Sequence, residues 1–138
     1  MEFPKSFIRA SEAYNTFEHH VPAPYLRRAF QVDHEAKANV IITALGFYEL
    51  YLNGERITKG RLAPYISNPD DLVCYDTYEV TLRAGENVLG VWLGNGFTNN
   101  PGGHIWDFVI AAFRAAPQMA LCLTYTDKSG EAHCIGSD

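Results

Sequence analysis

Residues 46–57 read GFYELYLNGERI, and this stretch decides the fold. Apolar residues alternate with others from Phe47 to Leu52, which is the period of a β-strand with one buried face. Asn53-Gly54 follows, and the alternation resumes over residues 55–57. Because Asn-Gly tolerates a positive φ at both central positions of a turn, it closes a tight type I′ hairpin. The stretch therefore predicts two antiparallel strands joined by a two-residue loop.

The same rhythm of short strands and turns continues on both sides of this hairpin. The expected extended segments are residues 26–32, 38–44, 72–80, 87–93, 119–125 and 131–135. Turn-forming clusters such as Asp33-His34-Glu35 and Asp127-Lys128-Ser129-Gly130 separate them. The stretch 106–115 holds at most a short helix, since Pro117 follows it. Many short strands with little helix predict an all-β domain, a jelly-roll-like sandwich.

Two parts of the chain are distinguished by their patterns. Residues 1–24 contain Pro4, Pro22 and Pro24 around a polar stretch, and we expect an irregular lead segment that lies over the sandwich. Residues 25–138 carry the strands and form the sandwich module. The polar ending, residues 136–138, is interpreted as a cut between domains of a larger protein.

Composition limits the classes of partner. A net charge of −5 argues against nucleic acid, because neutralising phosphates needs a basic face. Hydrophobic residues make up 47% of the chain, which argues against intrinsic disorder. No apolar run approaches the roughly 20 residues that span a bilayer, so no membrane partner is expected. Met1 is not followed by a signal-peptide pattern, and the compartment stays open.

The three cysteines, Cys74, Cys122 and Cys134, have no CxxC spacing. Neither a disulfide framework nor a zinc site is predicted from them. Buried free thiols are the favoured interpretation, because a free Cys packs as a small apolar side chain. A bridge between Cys122 and Cys134 is the alternative, since they lie on either side of an expected hairpin.

No set of residues predicts catalysis or a metal site. Asp70-Asp71 lie in a proline-containing loop and are expected to be solvated. Glu49 is expected to pair with Arg56 or Arg61 across neighbouring strands, with a ligand-binding role as the alternative. The five histidines lack HxxxH or HExxH spacing, so neither a metal nor another cofactor is predicted.

The loop at 94–107 is the candidate binding site, because it combines amide, carboxylate and aromatic side chains. The candidate carbohydrate-binding residues are Asn95, Phe97, Asn99, Asn100, His104, Trp106 and Asp107. Amide and carboxylate groups bind sugar hydroxyls, and an aromatic face covers the apolar C–H surface of a pyranose ring. Packing against a neighbouring domain is the competing explanation for the aromatic residues. Trp92, inside an expected strand, is predicted to lie in the core.

Four short motifs carry a family resemblance: GFYELYLNG at 46–54, TYEVT at 77–81, GEN at 85–87 and LGNGF at 93–97. In this order they resemble the N-terminal β-sandwich module of bacterial α-L-rhamnosidases, which is of the galactose-binding type. The resemblance covers residues 23–138. In that family the hydrolytic carboxylates lie in a separate (α/α)6 barrel, so it implies no catalytic residue here.

The resemblance implies a non-catalytic accessory module of a bacterial α-L-rhamnosidase. It would position or shield the catalytic barrel and make weak contact with rhamnose-containing glycans. Two alternatives remain: an independent carbohydrate-binding module, and a structural or adhesion sandwich unrelated to glycosidases. Some sandwich modules of these enzymes bind rhamnose through calcium held by an Asp-Asn pair, which Leu45-Gly46 replaces here. Calcium prefers several oxygen ligands, so no high-affinity calcium site is expected.

The partners implied are the neighbouring domains of a longer glycosidase. Their absence would expose apolar surface at Trp106, Phe108 and Phe113. Because monomers seldom expose large apolar patches, a homodimer of the isolated chain is a further expectation.

Overall fold

The chain folds as a β-sandwich of two antiparallel four-stranded sheets, as predicted. The computed structural model describes residues 3–68, 70–100, 102, 106 and 108–137. The strands are β1 (Tyr25–Val32), β2 (Ala36–Leu45), β3 (Phe47–Leu52), β4 (Glu55–Arg56), β5 (Asp76–Leu82), β6 (Gly85–Gly94), β7 (Gln118–Thr126) and β8 (Ala132–Gly136). Short 3₁₀ turns occur at Phe97–Asn99 and Phe108–Ile110. None of the described helical segments is long and apolar enough to cross a membrane.

The strand orders are β1-β6-β3-β4 in one sheet and β5-β2-β7-β8 in the other. Both sheets turn one apolar face inward, as the alternation predicts. Leu50 of β3, Leu93 of β6 and Leu123 of β7 are almost completely buried in the shared core. The inner face of β2 contributes Val40 and Ile42, and its neighbours with odd numbers point outward. This alternation fixes which side chains are left for the two outer faces.

The predicted hairpin is confirmed. β3 pairs antiparallel with β4, and the turn residues Asn53 and Gly54 both have positive φ, 53° and 86°. The side chain of Asn53 accepts a hydrogen bond from the Val88 backbone N–H (2.8 Å) and donates to the Asn87 Oδ1 (2.9 Å). Asn87 is fully buried and also donates to the Arg83 carbonyl (2.7 Å). A buried asparagine therefore ties the hairpin to the turn that precedes β6.

A buried polar contact joins the two sheets. The Tyr48 hydroxyl on β3 donates to the Asp76 carboxylate on β5 (2.6 Å) and lies 3.0 Å from the Tyr78 hydroxyl. Burial, followed by the bond to Asp76, raises the pKa of Tyr48 far above its ordinary value, so it stays protonated. The contact satisfies a hydroxyl that would otherwise be unpaired in the core.

The lead segment covers the outer face of the sheet β5-β2-β7-β8. We call this the covered face; its buried residues are Ile41, Thr43, Ala120 and Cys122. Phe3 and Phe7 line the same shallow cleft as Ile41, and Ile8 forms an antiparallel bridge with Met119. The Ser137 hydroxyl donates to the Ser6 carbonyl (2.6 Å). A segment without regular strands is thus held in place by both backbone and side-chain contacts.

The cysteine prediction was wrong for two of the three residues. Cys122 and Cys134 form a disulfide with a Cα–Cα distance of 6.3 Å, whereas Cys74 is a free thiol. Cys122 lies opposite Gly136 and Cys134 opposite Thr124, so the bridged residues are diagonal neighbours on β7 and β8. The register of this hairpin, set by its turn, brings them together.

Among the described residues, the outer face of the sheet β1-β6-β3-β4 is largely exposed. We call it the open face; it presents Tyr25, Glu49, Tyr51, Arg56 and Trp92. Trp92 is 52% exposed, so its predicted place in the core was wrong. The β6 strand is apolar on both faces, and Leu89, Val91 and Leu93 occupy the inner one. The predicted pairing of Glu49 with Arg56 is confirmed at 3.2 Å.

Candidate functional site

The candidate site lies at one end of the sandwich, where β6 ends and the chain turns sharply. Gly96 has a φ of 53° and Gly46, between β2 and β3, has a φ of 110°. A Cβ on Gly46 would collide with the Gly94 carbonyl, and one on Gly96 would lie 2.9 Å from the Gly46 Cα. Glycine is needed at both positions because two backbone segments touch there. This contact presents the residues after Gly94 at the end of the sheet.

Asn99 has a structural set of partners. It is fully buried, and its Oδ1 accepts a hydrogen bond from the Asn15 backbone N–H (2.6 Å). Its Nδ2 donates to the Asn95 Oδ1 (2.9 Å), and its carbonyl accepts from the Asn15 Nδ2 (3.0 Å). The amide of Asn99 is therefore engaged by the lead segment and the loop itself.

Three other predicted residues face solvent. Asn95, Phe97 and Asn100 line an open cleft of about 520 Å³. The Asn95 Oδ1 accepts from Asn99, and among the described residues its Nδ2 makes no hydrogen bond. The Asn100 Oδ1 accepts from the Gly102 N–H (2.9 Å), and Phe97 is 51% exposed. One amide donor and one aromatic ring are thus brought together at the cleft.

Of the remaining predicted residues, one lies beside the polar cleft without lining it, and two lie outside the residues that the structure describes. Trp106 is 69% exposed and lies 5.9 Å, between ring centroids, from Phe108. Phe108 in turn contacts Phe97 (6.0 Å) and Phe113 (5.5 Å) edge to face. His104 and Asp107 lie outside the described residues. The aromatic side chains form one connected group beside the polar cleft.

That aromatic group borders a second, apolar cleft of about 240 Å³. Phe97, Phe108 and Phe113 line it together with Tyr65 and Ile66. Tyr65 is 87% exposed, so this end of the sandwich presents a substantial apolar surface. A surface of this kind marks a contact with another protein surface or a ligand.

Sequence reasoning missed the contribution of the lead segment. Asn15 and His20 line the polar cleft together with the loop. Asn15 is buried, its Oδ1 accepts from the Val21 N–H (2.6 Å), and its carbonyl accepts from the Arg114 guanidinium. Arg114 also lies 4.9 Å from the centre of the Tyr14 ring. No local pattern around Asn15 indicates this, since its partners Asn99 and Arg114 lie more than 80 residues away.

Acidic residues elsewhere have structural partners. The Asp71 carboxylate accepts from the Asn68 side chain (2.6 Å), and Asp70 and Asp71 are exposed in a turn, as predicted. Asp127 accepts from the Ser129 hydroxyl (2.7 Å) and lies 2.8 Å from the His133 Nε2. These bonds hold the pKa of Asp127 well below its usual range and raise the pKa of His133. Glu131 lies near both groups, and the turn that joins β7 to β8 accounts for the cluster.

The geometry of the end loop suits weak recognition of a neutral, hydroxyl-bearing molecule. The described cleft residues supply amides, an imidazole and an aromatic face. A carboxylate is lacking among the described residues that line this cleft. Each neutral hydrogen bond nets about 0.5–1.5 kcal/mol once water is displaced.

Comparison with known proteins gives a consistent answer. Residues 33–138 match the family model of the α-L-rhamnosidase N-terminal domain. An α-L-rhamnosidase of Formosa agariphila is 44% identical over 78 residues, which is 54% of this chain and 8% of that protein. The crystal structure of an Aspergillus terreus α-L-rhamnosidase superimposes with a TM-score of 0.80 at 28% identity. That match covers 96% of this chain and 15% of the other.

A Streptomyces avermitilis α-L-rhamnosidase, crystallised with L-rhamnose, superimposes with a TM-score of 0.71 at 29% identity over 84% of this chain and 11% of that one. The chain thus spans a small fraction of each of these relatives. The residues matched by the family model, 33–138, include the hairpin, the Asn87 turn and the end loop. The chain belongs to the family of α-L-rhamnosidase N-terminal domains.

Proposed function

We propose that this chain is a non-catalytic accessory module that positions or shields the catalytic domain of an α-L-rhamnosidase. The observation that carries the proposal is its family membership together with its small share of the relatives' length, 8% of the Formosa agariphila protein. A glycosidase needs two carboxyl groups about 5–9.5 Å apart around the scissile bond. Sequence and geometry supply no such pair among the described residues of the candidate site.

A domain replacement tests the positioning role. The matching domain of the Formosa agariphila relative is either deleted or replaced by this chain, and hydrolysis of an aryl α-L-rhamnoside is measured. We expect the deletion to lose folding or activity and the replacement to retain both. A deletion that is as active and as stable as the intact enzyme would exclude a positioning role. The purified chain alone should show no turnover, and turnover abolished by a carboxylate substitution within it would overturn the non-catalytic assignment.

The apolar end of the module is proposed to contact the neighbouring domains of the longer protein. Trp106, Tyr65 and Ile110 are 69%, 87% and 85% exposed there. In isolation, the same surface is proposed to pair two copies of the chain as a two-fold dimer. Light scattering across a concentration series measures this. A chain that stays monomeric at high concentration would contradict the dimer. The contact with neighbouring domains of the longer protein is tested separately, by the domain replacement.

Weak carbohydrate contact is the second part of the proposal. The half-buried Asn95 amide, the exposed Asn100 amide and the Phe97 ring would bind a rhamnose-containing glycan at the polar cleft. A few neutral hydrogen bonds yield binding of about −4 kcal/mol, which is millimolar. A relative of this chain has been crystallised with L-rhamnose. An independent carbohydrate-binding module would bind more tightly, so affinity separates the two functions.

Calorimetry with L-rhamnose, in calcium and then in chelator, measures this affinity. We expect millimolar binding that is unaffected by chelator, because Leu45 and Gly46 present no side-chain oxygen. Asn95→Ala should weaken binding, whereas Asn39→Ala, an exposed change on β2, should not. Micromolar, chelator-sensitive binding would overturn this assignment and favour the independent binding module.

A further inference from the structure

The open face carries a row of side chains that the end loop does not use. Tyr25 of β1 lies opposite Trp92 of β6, and Trp92 lies opposite Glu49 of β3. Directly opposed residues on one face of an antiparallel sheet have Cβ atoms about 4.5–5.5 Å apart. Tyr25 is 58% and Trp92 52% exposed. Two aromatic side chains and a carboxylate therefore adjoin one another on a surface that solvent reaches.

The backbone beneath this row of side chains leaves room for the Tyr25 ring to lie against the sheet. Gly90 lies two residues before Trp92 on β6, on the same face. A Cβ at Gly90 would collide with the hydroxyl of Tyr25, so the tyrosine side chain lies across the strand over this glycine. Gly90 needs no unusual φ, and its role here is the space it leaves. The sheet is thus shaped to hold an aromatic ring close to its surface.

The carboxylate of Glu49 is fixed in place beside Trp92. One oxygen accepts a hydrogen bond from the Tyr51 hydroxyl (2.6 Å), and the other accepts from the Arg56 guanidinium (3.2 Å). The Tyr51 bond, then the charge of Arg56, hold the pKa of Glu49 below its usual range. A carboxylate has about four acceptor positions, and these two bonds leave the others for a ligand.

An ordered carboxylate beside exposed aromatic rings is a chemistry that suits a sugar chain. The C–H face of a pyranose packs on an aromatic ring, while its hydroxyls donate charge-assisted hydrogen bonds to the carboxylate. The centre of a protein–protein interface is depleted of glutamate, although tyrosine, tryptophan and arginine are enriched there. Here the Glu49 carboxylate lies directly beside Trp92. A carboxylate within the aromatic row therefore favours a hydroxyl-rich ligand.

We propose that the open face is a second carbohydrate-binding surface that takes a glycan chain lying across β1, β6 and β3. A pyranose packs on Trp92, its neighbour along the chain contacts Tyr25, and ring hydroxyls donate to Glu49. The surface is an exposed face of a sheet, so it suits the interior of a polysaccharide and differs from the end-loop cleft. The proposal does not depend on rhamnose binding at the loop.

Affinity electrophoresis of the purified chain tests the proposal. Native gels are cast with pectic rhamnogalacturonan, xylan or mixed-linkage β-glucan, and a gel without polysaccharide gives the reference mobility. We expect retardation by at least one polysaccharide, and Trp92→Ala should weaken it by about tenfold or more. Tyr75→Ala is the matched control, because Tyr75 is 50% exposed, lies beside Phe3 at the cleft of the covered face and should leave retardation unchanged.

Two further variants examine the construction of the surface. Glu49→Gln keeps the size of the side chain but removes its charge, and should weaken retardation several-fold. Gly90→Ala should weaken it by displacing Tyr25, with circular dichroism verifying that each variant folds. Unretarded migration of the wild type in every gel would overturn the proposal. So would full retardation of Trp92→Ala, or equal losses in Trp92→Ala and Tyr75→Ala. Calorimetry with Asn95→Ala reports separately on the end loop.

Discussion

The two outer faces of this sandwich differ in both residue type and exposure. On the covered face, Ile41 and Cys122 are each 1% exposed, because the lead segment and the β8 strand lie against them. On the open face, Tyr25 and Trp92 are more than half exposed. Antiparallel sheets commonly bury one face and leave the other polar. The open face departs from this rule by keeping aromatic rings in solvent, which is why we assign it a ligand.

The comparison separates residues that stabilise the module from residues available for binding. Burial on the covered face contributes to the free energy of folding. Exposure of large aromatic residues on the open face contributes little to it, so their presence requires another explanation. The same distinction applies within the end loop, where Asn99 is buried and Asn100 is exposed.

The largest expected effect is a difference in stability between the two faces. Ile41→Ala should lower the free energy of unfolding by about 2–4 kcal/mol, because it leaves a cavity beneath the lead segment. Trp92→Ala should cost about 1 kcal/mol or less, since the ring is half exposed. Urea unfolding followed by circular dichroism measures both. Equal losses in the free energy of unfolding in the two variants would show that the open face is a packing surface. That result would contradict the contrast between the two faces.

A second prediction sharpens the division within the end loop. Asn99→Ala should lower the free energy of unfolding by about 1–3 kcal/mol, because it leaves buried groups of Asn15 and Asn95 unpaired. Asn100→Ala is the matched control and should change stability little, because Asn100 is exposed. Limited proteolysis should cut the lead segment faster in Asn99→Ala. A stable Asn99→Ala variant with weaker rhamnose binding would instead indicate that Asn99 binds the ligand.

The hairpin that supports the open face gives a third, smaller effect. Gly54→Val places a β-branched residue at a φ of 86° and should cost about 1–2 kcal/mol. Gly60→Val is the control, because a side chain there meets no atom within 4 Å and Gly60 has no positive φ. Since β3 and β4 carry Glu49 and Arg56, Gly54→Val should also weaken polysaccharide retardation. Equal thermal stability of the two variants would exclude the strained hairpin turn.

The smallest effect is a dependence of stability on pH. It arises from His133 on β8, the edge strand of the sheet that carries the covered face. His133 is paired with Asp127, near Glu131 and Asp33, and its pKa is raised. Its stabilising contribution is therefore complete below the unfolded pKa of about 6.5 and is lost as pH rises through the folded value. The pKa of Asp127 is lowered, so its contribution exists above about 3.9 and is lost in stronger acid.

Nuclear magnetic resonance titration of the His133 ring measures this directly. The midpoint should lie above about 6.5 in the wild type and fall in Asp127→Asn, which removes the charge. The stability difference between wild type and His133→Ala should be largest between about pH 4 and 6.5. A wild-type midpoint at or below the ordinary value would exclude the pairing in solution.

Local sequence patterns predicted most of the strands because they depend on neighbouring residues. Asn53-Gly54 specifies its own turn, and the alternation from Phe47 to Leu52 specifies which side chains point inward. The same logic failed at Trp92, because β6 is apolar on both faces and a period of two carries no information there. In a strand of that kind, the exposure of an outward-pointing residue depends on what packs over that face of the sheet.

The candidate site shows the same limit. Residue types around Asn95 indicated sugar binding, but Asn99 is buried by Asn15, and that contact joins positions far apart in the chain. Glycines at Gly46 and Gly96 were visible, yet only the close approach of their backbones explains them. Partners that are distant in sequence decide whether an amide binds a ligand or another part of the protein.

By itself, the sequence determined the all-β class, the central hairpin, the inner faces of the sheets and the family resemblance. These follow from turn chemistry and from the two-residue period of a strand, which act over a few neighbouring residues. Tertiary structure alone decided which outer face the lead segment covers, where Trp92 lies and that Asn15 engages Asn99. Those outcomes depend on the register and packing of elements far apart in the chain, and no local pattern encodes them.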